Sequence, residues 1–368
     1  MTRREREIID ILKKEPMISQ NELAGRLGIA RSSVAVHITN LMKKGIIAGK
    51  GYVIREDRFV AVLGGANVDI LGFPESSYKA EDSNPGTVMQ TPGGVGRNIA
   101  ENLARLNVPV RLLTLVGEDM NGDILLTQTK EAGVDVSAVG RVRDHATGVY
   151  LSVQDEHGEV VSAINQMSIY DKMDESYPES VLGTLEQASA IVVDTNISQM
   201  ALSYVTRKLP KARFFLDPVS SRKALRARDI IGSFYAIKPN RMESEMLTGI
   251  PITGPESLKD NAAWFLERGV KHVCISMGSE GTFVASDKVM GRVTSTQVQV
   301  RNANGAGDAF MAALVRSSLD SEDIREWAVE GAAASIAAIL SEETINQELS
   351  VEKIQEIIKE YQIQWKDL

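Results

Sequence analysis

Short apolar runs alternate with helical segments through most of the chain after residue 58, and this alternation limits the possible folds more than any other feature. The runs at 60–66, 190–193 and 273–275 are apolar throughout and rich in β-branched residues. Continuous apolar runs of this length are typical of strands buried on both faces. Because helical segments separate the runs, the pattern predicts an α/β fold with a mainly parallel sheet and helices on both faces.

The first 58 residues differ in charge from the rest of the chain. They hold 12 Lys and Arg against 7 Asp and Glu, whereas the remainder holds 29 against 42. A basic N-terminal part on an acidic body predicts two domains with different partners. We place the boundary in the charged segment 55–58, which gives predicted domains at 1–56 and 57–368.

Composition excludes several classes of protein. The single cysteine, Cys274, rules out an internal disulfide and suits a reducing cytoplasm. No apolar stretch reaches the roughly 18 residues of a membrane span, and the N-terminus lacks the apolar centre of a signal peptide. The four histidines are scattered, so a transition-metal site is not expected. We expect a cytoplasmic enzyme or regulator with no membrane partner.

Three helical patterns and a glycine-rich segment fill the N-terminal part. Ser19, with Glu22 three residues later, predicts a capping box at the second helix. A third helix at 31–44 would direct Met42 inward with the other apolar side chains, and two short strands are predicted within 45–54. This order resembles the winged helix-turn-helix of bacterial transcription regulators.

That resemblance implies operator DNA as a partner. The candidate DNA contacts lie on the third helix and the wing: Arg31, Ser32, Ser33, His37 and Lys50. The alternative is a small three-helix domain used for dimerisation or docking, because an excess of five positive charges is modest for DNA binding.

The stretch 302–310 lies where a strand gives way to an apolar helical run. The small residues Gly305, Ala306 and Gly307 let successive backbone N–H groups converge on one point, which we call the anion cradle. A helix beginning at Asp308 would add unpaired N–H groups and its dipole, and both favour a phosphoryl group. Asp308 is then placed to take a proton from an attacking hydroxyl. Taken alone, the stretch also fits a capped helix with a glycine turn.

Further candidate ligand contacts follow the predicted strand 60–66 and a glycine-rich turn that opens the next helix. Ligands in α/β sheets bind at such carboxyl ends of strands, and glycines let the backbone approach them. The turn lacks the Gly-Lys-Ser or Gly-Lys-Thr of a nucleotide P-loop. These contacts are Asn67, Asp69, Gly93, Gly94 and Asn98.

Two later strand ends suit a nucleotide and its metal. Asn240 and Glu243 share one face of a first helical turn and could hold waters around Mg²⁺, although a simple capping box is the alternative. A glycine-flanked turn is suited to receive the phosphates and ribose of a nucleotide. Its candidate residues are Ser276, Gly278 and Gly281. The small-residue helix at 331–340 either only packs closely or lines an adenine slot.

The segment from 70 to 90 is rich in turn residues and is predicted to hold few, short strands. An insertion of this kind at the ligand-binding edge suggests a lid, not core. We place the lid within about 70–92 and 146–165, where the paired strands 148–154 and 160–164 are predicted.

Together and in this order, these stretches resemble the ribokinase-like, PfkB-type carbohydrate and nucleoside kinases over about residues 59–360. The resemblance implies a three-layer α/β/α sandwich with a small β lid, preceded by the winged helix-turn-helix domain. It also implies ATP-dependent phosphorylation of a sugar hydroxyl. On this basis Asp308 is the catalytic base, the cradle amides form the anion hole, and Asn240 with Glu243 organise Mg²⁺ through water.

The resemblance assigns the remaining candidates as well. It makes Asn67, Asp69, Gly93, Gly94 and Asn98 the contacts to sugar hydroxyls. It makes Ser276, Gly278 and Gly281 the turn on the ATP side. The expected partners are therefore a sugar or nucleoside, ATP and a second copy of the chain in a homodimer.

Segments at 80–86, 91–100, 163–167, 194–198, 217–220 and 238–241 are similar to those of family members that act on pseudouridine. This likeness implies transfer to the 5′-hydroxyl of that nucleoside. The candidates to read the uracil edge are Asn84, Thr147, Asn165 and Asn196. Two alternatives stay open. One is a different acceptor, such as uridine, another nucleoside or a free pentose; the other is a transcription regulator that uses the kinase domain as a nucleoside sensor.

The chain departs from the family pattern at one point. Many members carry Asp-Thr where this chain has Asn302-Ala303. Loss of that carboxylate counts against activation by a monovalent cation such as K⁺. The anion cradle is unaffected, because backbone groups form it.

Overall fold

The computed structural model describes residues 2–44, 46–47, 58–155 and 160–368. The chain forms two compact units, Met1–Arg58 and Phe59–Leu368, and each is described by itself. In the described parts of both units, no helix has the length and apolarity that crossing a membrane would require.

The N-terminal unit contains three helices, α1 (Arg3–Lys14), α2 (Gln20–Leu27) and α3 (Arg31–Lys43). The predicted capping box at α2 is confirmed. The Glu22 N–H donates to Ser19 Oγ at 3.2 Å, and the Ser19 N–H donates to Glu22 Oε2 at 3.0 Å. Such a reciprocal pair satisfies two backbone donors that the helix itself leaves unpaired.

One apolar stripe from each helix forms the core of this unit. Its fully buried members include Ile8, Leu12, Leu23, Val34 and Leu41. The prediction that Met42 points inward is wrong, since 46% of this residue is exposed. One step along a helix turns the side chain by about 100°, which takes position 42 to the edge of the stripe that Leu41 occupies. Of the segment 45–54, where the strands of the wing are predicted, only residues 46 and 47 lie within the described residues.

The second unit contains the remaining helices and all of the strands that the described residues form. The strands are β1 (Val60–Leu63), β2 (Asn67–Pro74), β3 (Gly86–Gly93), β4 (Val110–Leu113), β5 (Leu115–Gly117), β6 (Gly140–Val142), β7 (Val149–Gln154), β8 (Val160–Gln166), β9 (Ala190–Asp194), β10 (Phe214–Asp217), β11 (Ala236–Ile237), β12 (His272–Ser276), β13 (Thr282–Ser286), β14 (Met290–Thr294) and β15 (Gln364–Asp367). The α-helices are α4 (Val95–Arg105), α5 (Met120–Glu131), α6 (Ser176–Ser180), α7 (Leu182–Gln187), α8 (Gln199–Lys208), α9 (Ser221–Ala224), α10 (Arg241–Thr248), α11 (Pro255–Glu267), α12 (Ala306–Asp320), α13 (Ile324–Ile339) and α14 (Val351–Glu360).

The main sheet has nine strands in the order β15-β14-β13-β12-β11-β10-β9-β1-β4. The six strands from β12 to β4 are parallel to one another, and β13, β14 and β15 extend the sheet by antiparallel pairing. Val60 of β1 lies opposite Val110 on one neighbour and Ala190 on the other. The parallel strands therefore end together at one edge, where their carboxyl ends meet.

Helices cover both faces of this sheet. Val60 and Val62 pack in a core with residues of α4, α12, α13 and α14, whereas Ala61 and Leu63 pack in a second core with residues of α8 and α11. Successive strand residues point to opposite faces, so one short apolar run contributes to both cores. The predicted three-layer α/β/α sandwich is confirmed.

A separate four-stranded sheet, in the order β3-β2-β7-β8, forms the predicted lid. Strands β2 and β3 pair along their full lengths, from Asn67 opposite Gly93 to Pro74 opposite Gly86. The prediction of few, short strands in 70–90 is therefore wrong. Most of the turn residues lie in the connecting loop 75–85, and the strands on either side gain their stability from pairing with each other, not from local propensity.

Candidate active site

The anion cradle lies at the N-terminus of α12. Gly305 caps this helix with φ 78°, and a Cβ added there would lie 2.0 Å from the Thr344 carbonyl oxygen, so only glycine fits. The helix begins at Ala306, two residues earlier than predicted. The backbone N–H groups of Ala306, Gly307 and Asp308 consequently have no acceptor inside the helix and are available to an anion.

Asp308 projects from the first turn of α12 and is only 8% exposed. Its Oδ2 accepts a hydrogen bond from Asn98 Nδ2 at 2.9 Å. Burial, reinforced by the nearby Asp217 carboxylate, raises the pKa of Asp308 to about 8. A carboxyl group with a pKa near 8 is a stronger base than an ordinary carboxylate, and it accepts a proton from a hydroxyl only in its ionised form.

Asp308 belongs to a buried charge cluster with Asp217, Lys238 and Glu243. Lys238 Nζ lies 3.3 Å from Asp217 Oδ2. Burial opposes the charge of Lys238, but the carboxylates of the cluster outweigh that effect and raise the pKa of the lysine. Burial and Asp217 also raise the pKa of Glu243. Three carboxyl groups therefore surround a single ammonium group, and the raised pKa values of Asp308 and Glu243 reflect the cost of ionising all three together.

Asn240 and Glu243, the predicted magnesium pair, form a capping box at the start of α10. The Glu243 N–H donates to Asn240 Oδ1 at 2.9 Å, and the Asn240 N–H donates to Glu243 Oε2 at 2.8 Å. The described residues contain no group of three or more His, Cys, Asp or Glu that could ligate a metal directly. A hydrated divalent cation beside this cluster would favour the ionised form of its carboxyl groups, and oxygen groups such as Glu243 Oε1 would order the water shell of the cation.

A pocket of about 770 Å³ opens on the outer side of the anion cradle. It lies between the ends of β12–β14 and the helices α12 and α13. Lys238 and Gly307 line one part of it, and small or apolar residues of α13, such as Ala332 and Ile336, line another. The predicted nucleotide turn lines this pocket with Ser276, Gly278 and Gly281, and Asn240 lines it as well, whereas Glu243 is not one of its lining residues.

The glycine-flanked turn has the backbone geometry that the sequence suggested. Gly278 has φ 59° and Gly281 has φ 89°, and a Cβ at Gly281 would lie 2.1 Å from the Val293 carbonyl oxygen. The Ser276 N–H donates to the Pro239 carbonyl at 2.9 Å, which joins this turn to the start of α10. The pocket therefore has a rigid polar rim and an apolar wall, as a nucleotide requires.

On the lid side, close backbone packing brings two of the predicted sugar-binding segments together. A Cβ on Gly93 would lie 2.2 Å from Asp69 Oδ2, and one on Gly94 would lie 2.6 Å from the Ala66 Cα. Asn67 Nδ2 donates to Asp69 Oδ1 at 2.5 Å. Burial raises the pKa of Asp69 to about 6. Since Asn98 bonds Asp308, these segments and the anion cradle are parts of one site.

Two of the residues predicted to contact the uracil edge instead make hydrogen bonds to neighbouring protein groups. Asn84 holds its own loop, since Oδ1 accepts from the Lys79 N–H at 2.8 Å and Nδ2 donates to the Lys79 carbonyl at 2.9 Å. Thr147 is fully buried and donates from Oγ1 to Asp119 Oδ1 at 2.6 Å, while it accepts from the Gly117 N–H at 2.9 Å. Thr147 therefore anchors the N-terminus of α5 and has no exposed hydroxyl to offer a ligand.

The other two base-reading candidates differ in exposure. Asn165 is exposed on β8, where it lies opposite Tyr150 of β7. Asn196 is buried after β9, and its Oδ1 accepts from Lys223 Nζ at 2.6 Å. An ammonium group only donates hydrogen bonds, so this contact fixes the amide orientation and leaves Nδ2 as the donor face of Asn196.

The sequence reasoning gave no role to Lys238 or to its partner Asp217. Lys238 directly follows the apolar strand β11 and is 6% exposed. A lysine at the buried end of a strand was a usable signal, because lysine is almost never fully buried unless it is paired. The carboxylate that pairs with it lies on the neighbouring strand β10, which the sequence alone does not show.

In the N-terminal unit, three of the predicted DNA-binding residues lie in the first turn of α3 and a fourth, His37, lies at its middle. Arg31, Ser32 and Ser33 are exposed in its first turn, and His37 is half-buried. Lys50 lies outside the described residues. The exposed first turn of α3 presents one cation and two hydroxyl groups, which are donors suited to phosphates and base edges.

The three-layer domain with a lid over its strand ends is the fold of the ribokinase-like kinases. The Arabidopsis thaliana ribokinase, solved with ribose and ATP, superposes with a TM-score of 0.72 at 22% identity, covering 82% of this chain and 99% of that one. The chain belongs to the pfkB family of carbohydrate kinases, which residues 57–350 match. Residues 1–48 match the winged helix-turn-helix DNA-binding family.

Two relatives show greater sequence similarity. Pseudouridine kinase of Escherichia coli (strain K12) is 37% identical over 307 residues, which cover 83% of this chain and 98% of that protein. A protein of known structure from Clostridium perfringens is 33% identical with a TM-score of 0.77, covering 85% of this chain and 100% of that one. The similarity to each relative therefore extends over nearly all of that relative.

Proposed function

We propose that the protein transfers the γ-phosphoryl group of ATP to the 5′-hydroxyl of a nucleoside, and that pseudouridine is the preferred acceptor. The observation that carries the proposal is the position of Asp308, a buried carboxyl group in the first turn of α12 beside the anion cradle. The similarity to pseudouridine kinase over nearly all of that enzyme supports the choice of acceptor.

In this proposal Asp308 accepts the proton of the 5′-hydroxyl as the oxygen attacks the γ-phosphorus. The backbone N–H groups of the anion cradle donate to the phosphoryl oxygens as their charge grows. Phosphoryl transfer depends mostly on positioning and charge stabilisation, so the cradle is expected to supply the larger part of the rate enhancement. A general base adds roughly 10²- to 10⁴-fold.

The remaining assignments place the two substrates on either side of Asp308. The sugar hydroxyls are held by Asn67, Asp69, Gly93, Gly94 and Asn98. The nucleotide is held by Ser276, Gly278 and Gly281. Asn240 and Glu243 would order a hydrated Mg²⁺, which when bound offsets phosphate charge.

For the nucleobase, Asn196 is the better supported candidate of the two that remain. Its orientation offers N–H donors, so it would bond a carbonyl oxygen of the base. Asn165 on the lid strand β8 would reach the base only when the lid covers it. A pyrimidine with ring carbonyls fits these groups better than a free pentose, which has no carbonyl in its ring form.

A phosphorylation screen tests the proposal. Pseudouridine, uridine, adenosine and ribose are each incubated with the full-length protein, ATP and Mg²⁺, and the products are separated by chromatography. The expected result is a 5′-monophosphate, formed fastest from pseudouridine. Formation of a phosphate ester from ribose alone would refute the nucleoside assignment, and no product from any acceptor would refute the kinase assignment for this class.

A second function is favoured by the N-terminal unit, which matches a DNA-binding family and exposes a cation on α3. We propose that domain 1–56 binds operator DNA, so that an enzyme of domain 57–368 also regulates transcription. A gel-shift assay of the chain with and without residues 1–58 tests this. If DNA binding is indifferent to the deletion, the regulator proposal fails.

A further inference from the structure

Lys238 is a buried cation that the scheme above does not use. It is 6% exposed, yet it lines the same pocket as Gly307 of the anion cradle and Asn240. A buried ammonium group is costly unless it is paired, and its remaining donors need acceptors. Its presence beside a site for phosphate groups therefore needs a chemical reason.

Asp217 holds this ammonium group in place. Its Oδ2 lies 3.3 Å from Lys238 Nζ, and its Oδ1 accepts from the Val219 N–H at 2.9 Å, which fixes the carboxylate plane. An ammonium group has three donors, and the Asp217 oxygen takes one of them. Lys238 also lines the pocket beside the cradle, so its remaining donors can reach a group bound there.

Because Gly307 has no side chain, no atom of this residue separates the Lys238 ammonium group from the backbone of the anion cradle. A Cβ added at Gly307 would lie 3.2 Å from Lys238 Nζ, and no other atom lies within 4 Å of that position. The cation is thus at contact distance from the backbone whose N–H groups form the cradle. The positive charge of Lys238 therefore lies beside the turn that carries the cradle N–H groups.

We propose that Lys238 is a catalytic residue whose ammonium group contacts the γ-phosphoryl group during transfer and neutralises the charge that grows on it. The inference rests on the proposed function, because the transferred group is taken to be that of ATP. The bond between the γ-phosphorus and the β–γ bridging oxygen breaks, and a bond to the acceptor oxygen forms. The acceptor proton goes to Asp308, while Lys238 keeps its proton throughout.

The charge cluster explains how the lysine stays protonated in a buried site. Asp217, Glu243 and Asp308 raise its pKa against the effect of burial and so favour its charged form. A fixed charge in a site closed to water stabilises a transition state more than the same charge would in solution.

Lys238→Met in the full-length protein tests the role. We expect kcat to fall by roughly 10²- to 10³-fold, as when a donor to a developing anion is removed. We also expect a non-hydrolysable ATP analogue with Mg²⁺ to lose at least about tenfold more affinity than ADP does, which corresponds to about 1.4 kcal/mol. Only the analogue carries the γ-phosphoryl group that Lys238 would contact. The exposed Lys208→Met is the matched control for loss of one positive charge.

A double variant guards against simple misfolding. Lys238→Met leaves Asp217 buried without its partner, whereas Asp217→Asn with Lys238→Met removes both charges. The double variant should melt near the wild-type temperature and still show the selective loss of the ATP analogue. Equal losses of analogue and ADP, or a kcat within about threefold of wild type, would overturn the role of Lys238. The binding comparison needs no turnover, so it tests Lys238 even when the acceptor screen fails.

Discussion

The side-chain amide of Asn302 donates from Nδ2 to the carbonyl oxygen of Glu342 at 3.0 Å. Its Oδ1 accepts from the Asn304 N–H at 2.9 Å, so one neutral side chain joins the turn before the anion cradle to the loop after α13. A carboxylate at position 302 has no donor for the Glu342 carbonyl, and it would face that carbonyl oxygen unless a cation lay between them. The Asn302 side chain thus joins these two segments by hydrogen bonds alone. An aspartate at this position would need a bound cation to join them.

The enzyme is therefore expected to work without a monovalent cation. Wild-type kcat should be the same in KCl and in tetramethylammonium chloride at equal ionic strength. Asn302→Asp should lower kcat by roughly three- to tenfold in the absence of K⁺, because it removes a hydrogen bond worth about 1 kcal/mol, and K⁺ should restore part of the loss. Steady-state kinetics across a KCl series measures both effects. Strong stimulation of the wild type by K⁺ would contradict this account of Asn302.

Replacement of Asp308 by asparagine tests the proposed base. Asp308→Asn keeps the shape of the side chain but cannot accept a proton, so kcat should fall by about 10²-fold or more. Nucleoside affinity, measured by calorimetry, should change little, because the Asn98 Nδ2 donor still finds an oxygen at position 308. A variant with wild-type kcat would remove Asp308 from the mechanism.

The same variant should change how stability depends on pH. Burial raises the pKa of Asp308 from 3.8 to about 8, so between these values the folded protein holds a proton that the unfolded chain releases. The contribution of Asp308 to stability therefore falls as the pH rises through this window. Asp308→Asn cannot ionise, so its Tm should exceed that of the wild type by a margin that grows from acid to mildly alkaline pH. Calorimetric scans without ligand measure the margin; a margin independent of pH would contradict the raised pKa.

The three-layer domain could be predicted from the sequence because the patterns that indicate it are local. The runs at 190–193 and 273–275 are apolar on both faces, and only a sheet covered on both sides can bury them. The lid could be predicted only in part. Its strands β2 and β3 are stabilised by pairing across the turn-rich segment 75–85, and pairing between strands leaves little trace in either strand alone.

The candidate site was likewise predictable only in part. The cradle glycines were predictable, because at Gly305 the backbone conformation and the close approach of Thr344 both demand glycine. The charge cluster was not, because Asp217 and Lys238 come from neighbouring strands and only the sheet order brings them together. Thr147 looked like a ligand contact in the sequence, but the fold gives its hydroxyl to Asp119 and Gly117.

Thr147 should accordingly affect stability and not specificity. Thr147→Val keeps the shape of the side chain but removes the hydroxyl that Asp119 and the Gly117 N–H use. Asp119 keeps its bonds from the Gly122 and Thr147 N–H groups, but the buried Gly117 N–H is left unpaired, which should lower the free energy of unfolding by about 1–3 kcal/mol. Urea denaturation measures that loss, while KM for the nucleoside should stay within about twofold. Thr147→Ser should restore most of the stability; a large rise in KM without loss of stability would return Thr147 to the binding site.

The last prediction concerns the exposed first turn of α3. Arg31→Ala in the full-length protein should weaken binding to a DNA duplex from upstream of its own gene, because it removes a cation from the element predicted to enter the groove. A lost phosphate contact should reduce the slope of log K against log salt by about one, whereas a lost base contact should cost about 1–3 kcal/mol for the specific duplex only. Arg3→Ala on α1 removes the same charge from another surface of this unit and serves as the control. Fluorescence anisotropy at several salt concentrations distinguishes these outcomes. Equal affinity in the wild type and both variants would show that α3 does not read DNA, and the N-terminal unit would then be a docking or dimerisation domain.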